Sequence, residues 1–445
     1  MKVLLLGSGA AMHALVWKAL ASPQVETVYC APGNAGTALL LGPAPFAEHT
    51  AEIAQWAFSQ EVDLTVVQGQ PEWTEALIGM GLPLLGAGQA ACQALRLRQA
   101  SRERWQAAGI RCPEGRSFRN LEDAERYLVS RRLPVWIRPE DTAQREAVRV
   151  AERLESLRQL EHFLSLYPET GVCIEEDVPG PEISLALLSD GEEAISLGVG
   201  RPYDRRYDGD SGPFTEGMGG YMPYGDRTLE ERLLVEVGRP VVRALAAAGL
   251  LRPSFLQLRI ILGPQGAVLR DVSWDLDDLH AALFLACCGE GVLELLYATA
   301  LGHLEAGPAV RVERAAVGVV MAAEGYPEPC PLGLSLRGVY DATALVFHQA
   351  TRLLADSEAT AGTVLPAWLS GPRRPPLPPT PRVVTAGGRV VVVVGIGDNI
   401  SQARLRAYET VARLEFERCA WRSDIAAESA GYTEAAPGAA HRGRP

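Results

Sequence analysis

The sequence predicts an α/β protein with an N-terminal doubly wound parallel sheet, a central α+β region and a small α/β domain at the C-terminus. Three observations support this: strand–helix alternation at the start, paired strand-like runs in the middle, and a long apolar strand followed by a helix near the end. At 445 residues the chain needs several hydrophobic cores, since domains usually hold roughly 100–200 residues.

The first 88 residues follow βαβ order. An apolar run at 2–6 leads through Gly7-Ser8-Gly9 into a helical pattern. Further strands are predicted at 25–30, 64–67 and 82–85, with a helix over 47–60. A lone G-x-G turn is as typical of close helix packing as of ligand binding, and the missing third glycine argues against NAD.

The middle of the chain is predicted to contain helices and strands, and some of these strands are paired as hairpins. Helices are predicted over 90–108, after residue 151 and over 228–248. Strands are predicted at 135–137, 147–150, 171–175, 183–188, 194–199, 255–262 and 267–272. Residues 200–225 are rich in Gly, Asp, Arg, Tyr and Pro without periodicity, which predicts a long functional loop.

The last part of the chain is predicted to be a β-rich unit. It begins with a strand at 317–322 and ends with a strand at 388–394 and a helix over 399–418. The proline-dense stretch 370–382 is expected to form an extended loop, and the tail 433–445 to be disordered.

Net charge and cysteine spacing limit the kinds of partner and site that the protein can have. The formal net charge is -12 and the pI about 5.2, which disfavours nucleic acid as a partner. The eight cysteines form no C-x-x-C pair, and we find neither a signal peptide nor a membrane helix. A cytoplasmic protein with small-molecule ligands is expected.

Five segments together resemble the glycinamide ribonucleotide synthetase family, the phosphoribosylamine–glycine ligases of the ATP-grasp superfamily. They are MKVLLLGSGAAMHALVWKAL, APGNAGTA, SGPFTEGMGGYMP, AVGVVMAAEGYP and VVTAGGRVVVVVGIG. The resemblance implies a pre-ATP-grasp domain at 1–88, an ATP-grasp domain at 89–310 with a lid at about 113–185, and a C-terminal domain at 311–432. It also implies a monomer or weak oligomer that uses ATP and Mg²⁺, with glycine and phosphoribosylamine or altered analogues as substrates.

The resemblance also implies roles for individual residues. The implied catalytic residues are Arg205, Asp210 and Asp271, and the implied metal ligands are Asp271 and Ser273. The implied nucleotide-binding residues are Arg98, Arg138, Glu175, Glu176, Val178 and Glu182. The implied substrate-binding residues are Gly9, His13, Asn34, Gly36, Thr37, Gly212, Pro213, Thr215, Gly217, Met218 and Gly219. From the residues themselves, a lone histidine such as His13 is more often structural than a ligand. Asp275, Asp277 and Asp278 offer an alternative metal site, although a charged strand end is the more typical interpretation.

The stretch 134–150 departs most from the family. It matches the phosphate-binding hairpin of the family, which is rich in glycine and lysine. Here its turn contains no glycine, and Glu140, Asp141 and Glu146 are expected to place negative charge near a bound triphosphate unless they point away. Two hypotheses follow. The chain is either an ATP-dependent carboxylate–amine ligase acting through an acyl phosphate, or a catalytically degenerate paralogue, a pseudoenzyme that keeps the fold and binds a nucleotide or a protein partner.

Overall fold

The computed structural model describes residues 1–44, 50–144, 146–338, 344–354 and 382–429. The strands in this part form four sheets, which we call the N-terminal sheet, the small sheet, the large sheet and a two-stranded ribbon. The proline-dense stretch up to residue 381, the tail 433–445 and Arg145 of the hairpin lie outside the described residues.

The N-terminal sheet is parallel, as predicted, with strand order β2-β1-β3-β4. Its elements are β1 (Lys2–Gly7), α1 (Ala10–Ala21), β2 (Thr27–Pro32), α2 (Ala35–Leu41), α3 (Thr50–Ser59), β3 (Leu64–Val67), α4 (Pro71–Ile78) and β4 (Leu84–Leu85). Alternate residues of β1 enter different cores: Val3 and Leu5 pack with α1, and Leu4 and Leu6 pack with α3 and α4. Burial on both faces explains the unbroken apolar run.

The basic helix predicted over 90–108 is two helices, α5 (Gln89–Ala94) and α6 (Arg98–Ala107). The break occurs because the chain near Thr142 uses the carbonyl groups at the interruption. The Thr142 hydroxyl donates to Leu95 O at 3.1 Å and the Thr142 N–H to Arg96 O at 2.8 Å. A long-range contact thus overrides local helix propensity.

The small sheet is antiparallel, with order β5-β8-β6-β7. Its strands and covering helices are β5 (Gly115–Phe118), α7 (Leu121–Ser130), β6 (Val135–Pro139), β7 (Val148–Val150), α8 (Arg153–Leu166) and β8 (Val172–Glu176). Val135, Ile137 and Ile174 pack beneath α7 and α8. Because side chains alternate along a strand, Arg138 and Glu175 lie on the opposite face.

The large sheet has the path β13-β12-β9-β10-β11-β14-β18-β15, with β19 paired to β14. Its strands are β9 (Glu182–Asp190), β10 (Ala194–Tyr207), β11 (Ser211–Met222), β12 (Pro253–Gly263), β13 (Gly266–Trp274), β14 (Ala315–Ala323), β15 (Leu345–His348), β18 (Arg389–Gly397) and β19 (Cys419–Ala420). The ribbon pairs β16 (Thr351–Leu354) with β17 (Arg382–Thr385). The associated helices are α9 (Arg227–Leu233), α10 (Arg239–Ala247), α11 (Asp278–Cys287), α12 (Val292–Ala300) and α13 (Ile400–Val411), with a 3₁₀ turn at Leu304–Ala306.

The prediction of a long loop at 200–225 is wrong, because β10 and β11 continue through it as paired strands. Glycine hides the strand signal, since it contributes no side chain to the alternating pattern. It also permits close packing. A Cβ at Gly220 would lie 2.7 Å from Arg201 O, and one at Gly318 on the neighbouring strand would lie 2.8 Å from Leu279.

Two helix predictions have different outcomes. The helix predicted over 228–248 is continuous, with a π-helical turn at Leu234–Gly238 just before Pro240, which has no N–H to donate. The helix predicted over 399–418 ends earlier, at Val411, and Glu415 instead pairs with Arg337 through backbone hydrogen bonds. None of the described helices has the length and apolarity needed to cross a membrane.

The packing of α13 on β18 depends on Gly395. A Cβ there would overlap the carbonyl oxygen of Ala403 and lie 2.5 Å from Ala407 N. We expect Gly395→Ala to lower the free energy of unfolding by about 3 kcal/mol, the cost of forced overpacking.

Urea unfolding followed by circular dichroism measures this change. Gly79→Ala is the matched control, because its φ is −65° and no atom lies within 4 Å of the added Cβ. Its effect should stay within about 0.5 kcal/mol. Equal midpoints for the two variants would contradict the assigned packing.

Candidate functional site

Two cavities meet where the N-terminal sheet, α5 and the end of β13 come together. The first has a volume of about 730 Å³ and the second of about 490 Å³. Their shared wall is formed by Gly69, Gln70, Ser273, Trp274 and Asp275. Two ligands can therefore lie side by side across this wall.

The first cavity is acidic. Its described lining includes five carboxylates and one guanidinium, those of Glu72, Glu216, Asp275, Asp277, Asp278 and Arg389. Arg389 already pairs with Glu216 at 2.6 Å. The lining thus favours positively charged groups of a ligand.

Gly9 lies in this cavity beside the carboxylate of Asp278. The Asp278 Oδ1 accepts a hydrogen bond from Ala11 N at 2.9 Å, at the N-terminus of α1, and a Cβ on Gly9 would overlap that carboxylate. Gln349 Nε2 donates to the other oxygen at 2.7 Å. The chain therefore neutralises the start of α1 with its own carboxylate.

Asp275 occupies the shared wall with a left-handed backbone, φ 71°. Its Oδ2 accepts a hydrogen bond from Gly69 N at 2.8 Å. Burial raises the pKa of Asp275 to about 6, although this hydrogen bond opposes the shift.

His13 and Gly36 pack against each other outside both cavity linings. The His13 ring is fully buried, and a Cβ on Gly36 would overlap it. The His13 Nδ1 accepts a hydrogen bond from His348 N at 2.9 Å. Burial, with a smaller contribution from His348, holds the pKa of His13 well below 6.5, so the ring is neutral at pH 7. The structure thus gives His13 a packing role.

Asn34 and Thr37 form a capping box at the start of α2. The Asn34 amide also donates to Ser8 O and to His348 O, each at 2.8 Å. These bonds hold the first glycine turn against β15, one strand of the large sheet. Asn34 thereby positions the wall of the first cavity.

The implied substrate residues of β11 do not line either cavity. The Thr215 hydroxyl donates to Asp204 O at 2.8 Å, and Met218 is fully buried. The remaining residues of this group are Gly212, Pro213, Gly217 and Gly219. Their neighbour Glu216 does line the first cavity, as do Gln349 and Arg389. Sequence reasoning missed these three, although Glu216 and Arg389 stand inside the segments that carry the resemblance.

Opposite charges form two partly buried groups of ion pairs, which we together call the ion-pair network. One group joins α6 and the small sheet to β13, and the other lies within the large sheet. The described members of the network are Arg98, Arg102, Arg138, Arg259, Arg270, Glu175, Glu182, Asp204 and Asp271. Four of these are nucleotide-binding residues implied by the resemblance. The structure therefore brings together much of the implied nucleotide site, but its charges face each other.

Asp271 uses both carboxylate oxygens within this network. Oδ1 pairs with Arg98, and Oδ2 accepts from Arg138 at 3.0 Å. Burial alone would raise the pKa of Asp271, but Arg138 and Arg98 hold it well below its ordinary value. Asp271 is consequently ionised and fully paired.

Glu175 and Glu182 are paired in the same manner. Glu175 contacts Arg102 and Arg138, and Glu182 contacts Arg259 and Arg270. Burial alone would raise the pKa of each carboxyl, but the neighbouring arginines outweigh this effect and hold both pKa values below the ordinary value.

Each of the three hairpin carboxylates is held by a partner within the chain, so none of them is left as an unpaired negative charge. Glu140 accepts hydrogen bonds from Gln99 N and from the Ser117 hydroxyl. Asp141 pairs with Arg96 at 2.9 Å, and Glu146 accepts from the Tyr167 hydroxyl at 2.5 Å.

Arg205 and Asp210 lie on the β10–β11 hairpin but contact different parts of the chain. The Arg205 guanidinium stacks on Phe214 at 3.6 Å and also lies over Trp136 of the small sheet. Asp210 pairs at 2.6 Å with the buried Arg422, after β19. The ion pairs of Asp271 include neither residue.

Glu176 is the last residue of β8, and Val178 follows two residues later. The exposed Glu176 accepts a hydrogen bond from Glu114 N at 2.9 Å, and the Val178 side chain lies beside Gly263. Neither residue lines the two cavities.

A magnesium ion does not fit the implied ligands in this arrangement. Both oxygens of Asp271 hold guanidinium groups, and the exposed Ser273 offers a neutral hydroxyl. Within the described residues, no group of three or more His, Cys, Asp or Glu side chains is placed to hold a metal. Asp275, Asp277 and Asp278 thus do not rebuild such a site.

Comparison with known families agrees with the architecture. Three family models match in chain order: the phosphoribosylglycinamide synthetase N domain at 1–93, the ATP-grasp (A) domain at 98–273 and the C domain at 316–428. The chain is 32% identical over 443 residues to the phosphoribosylamine–glycine ligase of Allochromatium vinosum, covering 96% of this chain and 98% of the relative. It is 29% identical over 443 residues to the ligase of Escherichia coli K12, with the same coverage.

Solved structures show the same fold. The crystal structure of the Thermotoga maritima phosphoribosylamine–glycine ligase matches with a TM-score of 0.76 at 22% identity, over 96% of this chain and 100% of that one. The crystal structure of a biotin carboxylase–β-γ-ATP complex from Campylobacter jejuni matches with a TM-score of 0.61 at 14% identity, over 94% of this chain and 92% of that one.

The buried histidines predict how stability depends on pH. The pKa of His13 is held well below 6.5, and burial lowers those of His280 and His348 to about 4. Below about pH 6.5 the unfolded chain binds protons that the folded chain does not, so each histidine lowers stability by up to about 1.4 kcal/mol per pH unit. The stabilising effect of keeping these rings neutral is therefore fully present above about pH 6.5 and is lost as the pH falls below that value.

We expect His13→Asn to reduce the slope of the free energy of unfolding against pH between pH 6.5 and 5. The reduction should correspond to about one bound proton, or about 1.4 kcal/mol per pH unit. Urea unfolding at a series of pH values measures the slope. His162→Asn, an exposed change on α8, serves as the matched control. An unchanged slope in His13→Asn would show that this ring titrates normally in the folded chain.

Proposed function

Because the chain belongs to the phosphoribosylglycinamide synthetase family, we propose that it is an ATP-dependent ligase of purine biosynthesis that joins glycine to phosphoribosylamine. The observation that carries this proposal is the pair of cavities with a shared wall. Ligation needs an activated carboxyl group and an amine next to each other, screened from water.

The proposed reaction has two steps. A carboxylate oxygen of glycine attacks the terminal phosphorus of ATP, the bond from that phosphorus to the bridging oxygen breaks, and glycyl phosphate and ADP form. The amine nitrogen of phosphoribosylamine then attacks the carbonyl carbon. Phosphate leaves with the electrons of the broken C–O bond, and the nitrogen loses one proton.

The two cavities suit different parts of this reaction. The second cavity is lined by Arg96, Arg98 and Arg259, whose guanidinium groups match phosphate oxygens in geometry and charge. The acidic first cavity suits the amine. Asp275, in the shared wall, contacts both regions, and we assign it to positioning the reactants.

The remaining assignments are part of the same proposal. Glu175, Glu182 and Arg138 support the nucleotide region through the ion-pair network, with Glu176 and Val178 at its edge. We further propose the domain boundaries 1–88, 89–310 and 311–432, a monomer or weak oligomer, and a cytoplasmic location. A non-catalytic paralogue was the alternative that the sequence left open, and nothing in the comparisons favours it.

Turnover by the purified chain tests the proposal. With ATP, Mg²⁺, glycine and phosphoribosylamine, we expect ADP and phosphate to form at a rate that falls to background when either glycine or the amine is left out. Coupled detection of ADP and mass spectrometry of the amide product measure the reaction. Background rates with all substrates at saturation would reject the ligase.

A variant in the shared wall makes the test specific to this site. Asp275→Asn should lower kcat/KM at least tenfold, since one lost charge-assisted contact is worth about 1.5–3 kcal/mol. Asp123→Asn, on the exposed face of α7, is the matched control and should retain the full rate. If both variants are equally active, the reaction does not take place at this wall.

A further inference from the structure

The ion-pair network indicates how charge is neutralised around the nucleotide region. Within the described part of the chain it contains five guanidinium groups and four carboxylates, and each carboxylate pairs with at least one arginine. The positive charge that a divalent cation would bring is therefore already supplied by arginine side chains.

A cation cannot join this network without displacing an arginine. The side chains of Arg98 and Arg138 are 3% and 7% exposed; Arg98 has Asp271 as its counter-charge, and Arg138 shares Asp271 and Glu175. A dication bound to Asp271 would lie next to two buried positive charges, and removing one partner of such a buried pair is strongly destabilising. The arginines and a metal ion are therefore mutually exclusive at Asp271.

Phosphate groups can approach the second cavity at Arg96, whose side chain is 63% exposed. The second cavity is lined by Arg96, Arg98 and Arg259. The hairpin carboxylate of Glu140 is held by Gln99 N and the Ser117 hydroxyl, and that of Asp141 pairs with Arg96 itself. Two carboxylates also line this cavity. Asp271 is neutralised by its arginines, and Asp275 accepts a hydrogen bond from Gly69 N.

We propose that the second cavity binds the polyphosphate chain of a nucleotide without a divalent cation, with arginine guanidinium groups in the place of the metal. This inference rests on the proposed function, because it specifies the form in which the activating nucleotide binds. It assigns Asp271 as the counter-charge of Arg98 and Arg138 and not as a metal ligand.

Thermal unfolding of the full chain tests the proposal with two probes, ATP and inorganic triphosphate. Each is added at millimolar concentration in chelator and, separately, in excess Mg²⁺. We expect the melting temperature to rise in chelator, and to rise no further with Mg²⁺, because the cation competes with the guanidinium groups for phosphate oxygens. A rise only with Mg²⁺, or none in either condition, would overturn the proposal.

The two probes separate the sources of binding. If triphosphate acts as well as ATP, the cavity recognises the phosphates alone. If ATP acts at much lower concentration, the nucleoside adds contacts. Both results support a metal-free phosphate site.

Asp271→Asn distinguishes the two roles of this carboxylate. Freed from its counter-charge, Arg98 should bind phosphate more tightly, by about tenfold in Kd for ATP in chelator. A metal ligand predicts the opposite, weaker binding that is restored by Mg²⁺. Calorimetric titration measures the Kd.

Two further variants test the second cavity independently of any folding defect that Asp271→Asn causes. Arg96→Ala changes an exposed side chain of the same cavity and should weaken ATP binding in chelator by about two- to fivefold. Glu146→Gln, whose carboxylate contacts the Tyr167 hydroxyl, is the control and should leave the Kd unchanged. Equal affinities of both variants would count against the cavity as the phosphate site.

Failure of this inference is distinguishable from failure of the ligase proposal. Turnover with Mg²⁺ but no binding in chelator rejects metal-free binding and leaves the ligase standing. Binding in chelator without turnover in any condition supports the phosphate site and rejects the ligase.

Discussion

The contact of Asp271 with Arg98 and Arg138 is the interaction on which the central region depends. It joins α6 and β13, which share one hydrophobic core, to the small sheet, which has its own. Removing charges from water is costly, so this group is stable only when every charge has a partner at close range. The relative position of the two sheets follows from that requirement, and so does the shape of the cleft between them.

A second junction brings the N-terminal sheet to the large sheet. Asp277 caps α11 and Asp278 reaches the start of α1, while Gln349 and Arg389 approach Asp278 from the opposite side. These contacts build the acidic cavity from parts of the chain more than 300 residues apart in sequence, such as Gly9 and Arg389. Glycine at position 9 is required because a larger residue would overlap the Asp278 carboxylate.

Side-chain direction accounts for the main difference between expectation and structure. The hairpin at 140–147 has the composition of a poor phosphate site, but Glu140 is bound by Gln99 N and the Ser117 hydroxyl, and Asp141 by Arg96. Composition counts charges without their orientation. In the folded chain these carboxylates are already paired, so a count of charges overstates the repulsion that a bound phosphate would meet.

The sequence by itself determined the fold class, the parallel N-terminal sheet and the family, because these follow from local hydrophobic periodicity and from motif order. It also located the carboxylate cluster at the end of β13. Only the tertiary structure decided that residues 200–225 are strands, that the helix over 90–108 is broken, and that His13 and Asn34 support packing while Glu216, Gln349 and Arg389 line the cavity. Each of these depends on partners far apart in the chain. Whether a glycine strand pairs, or a charge faces a ligand or an arginine, is set by long-range contacts that local sequence patterns do not encode.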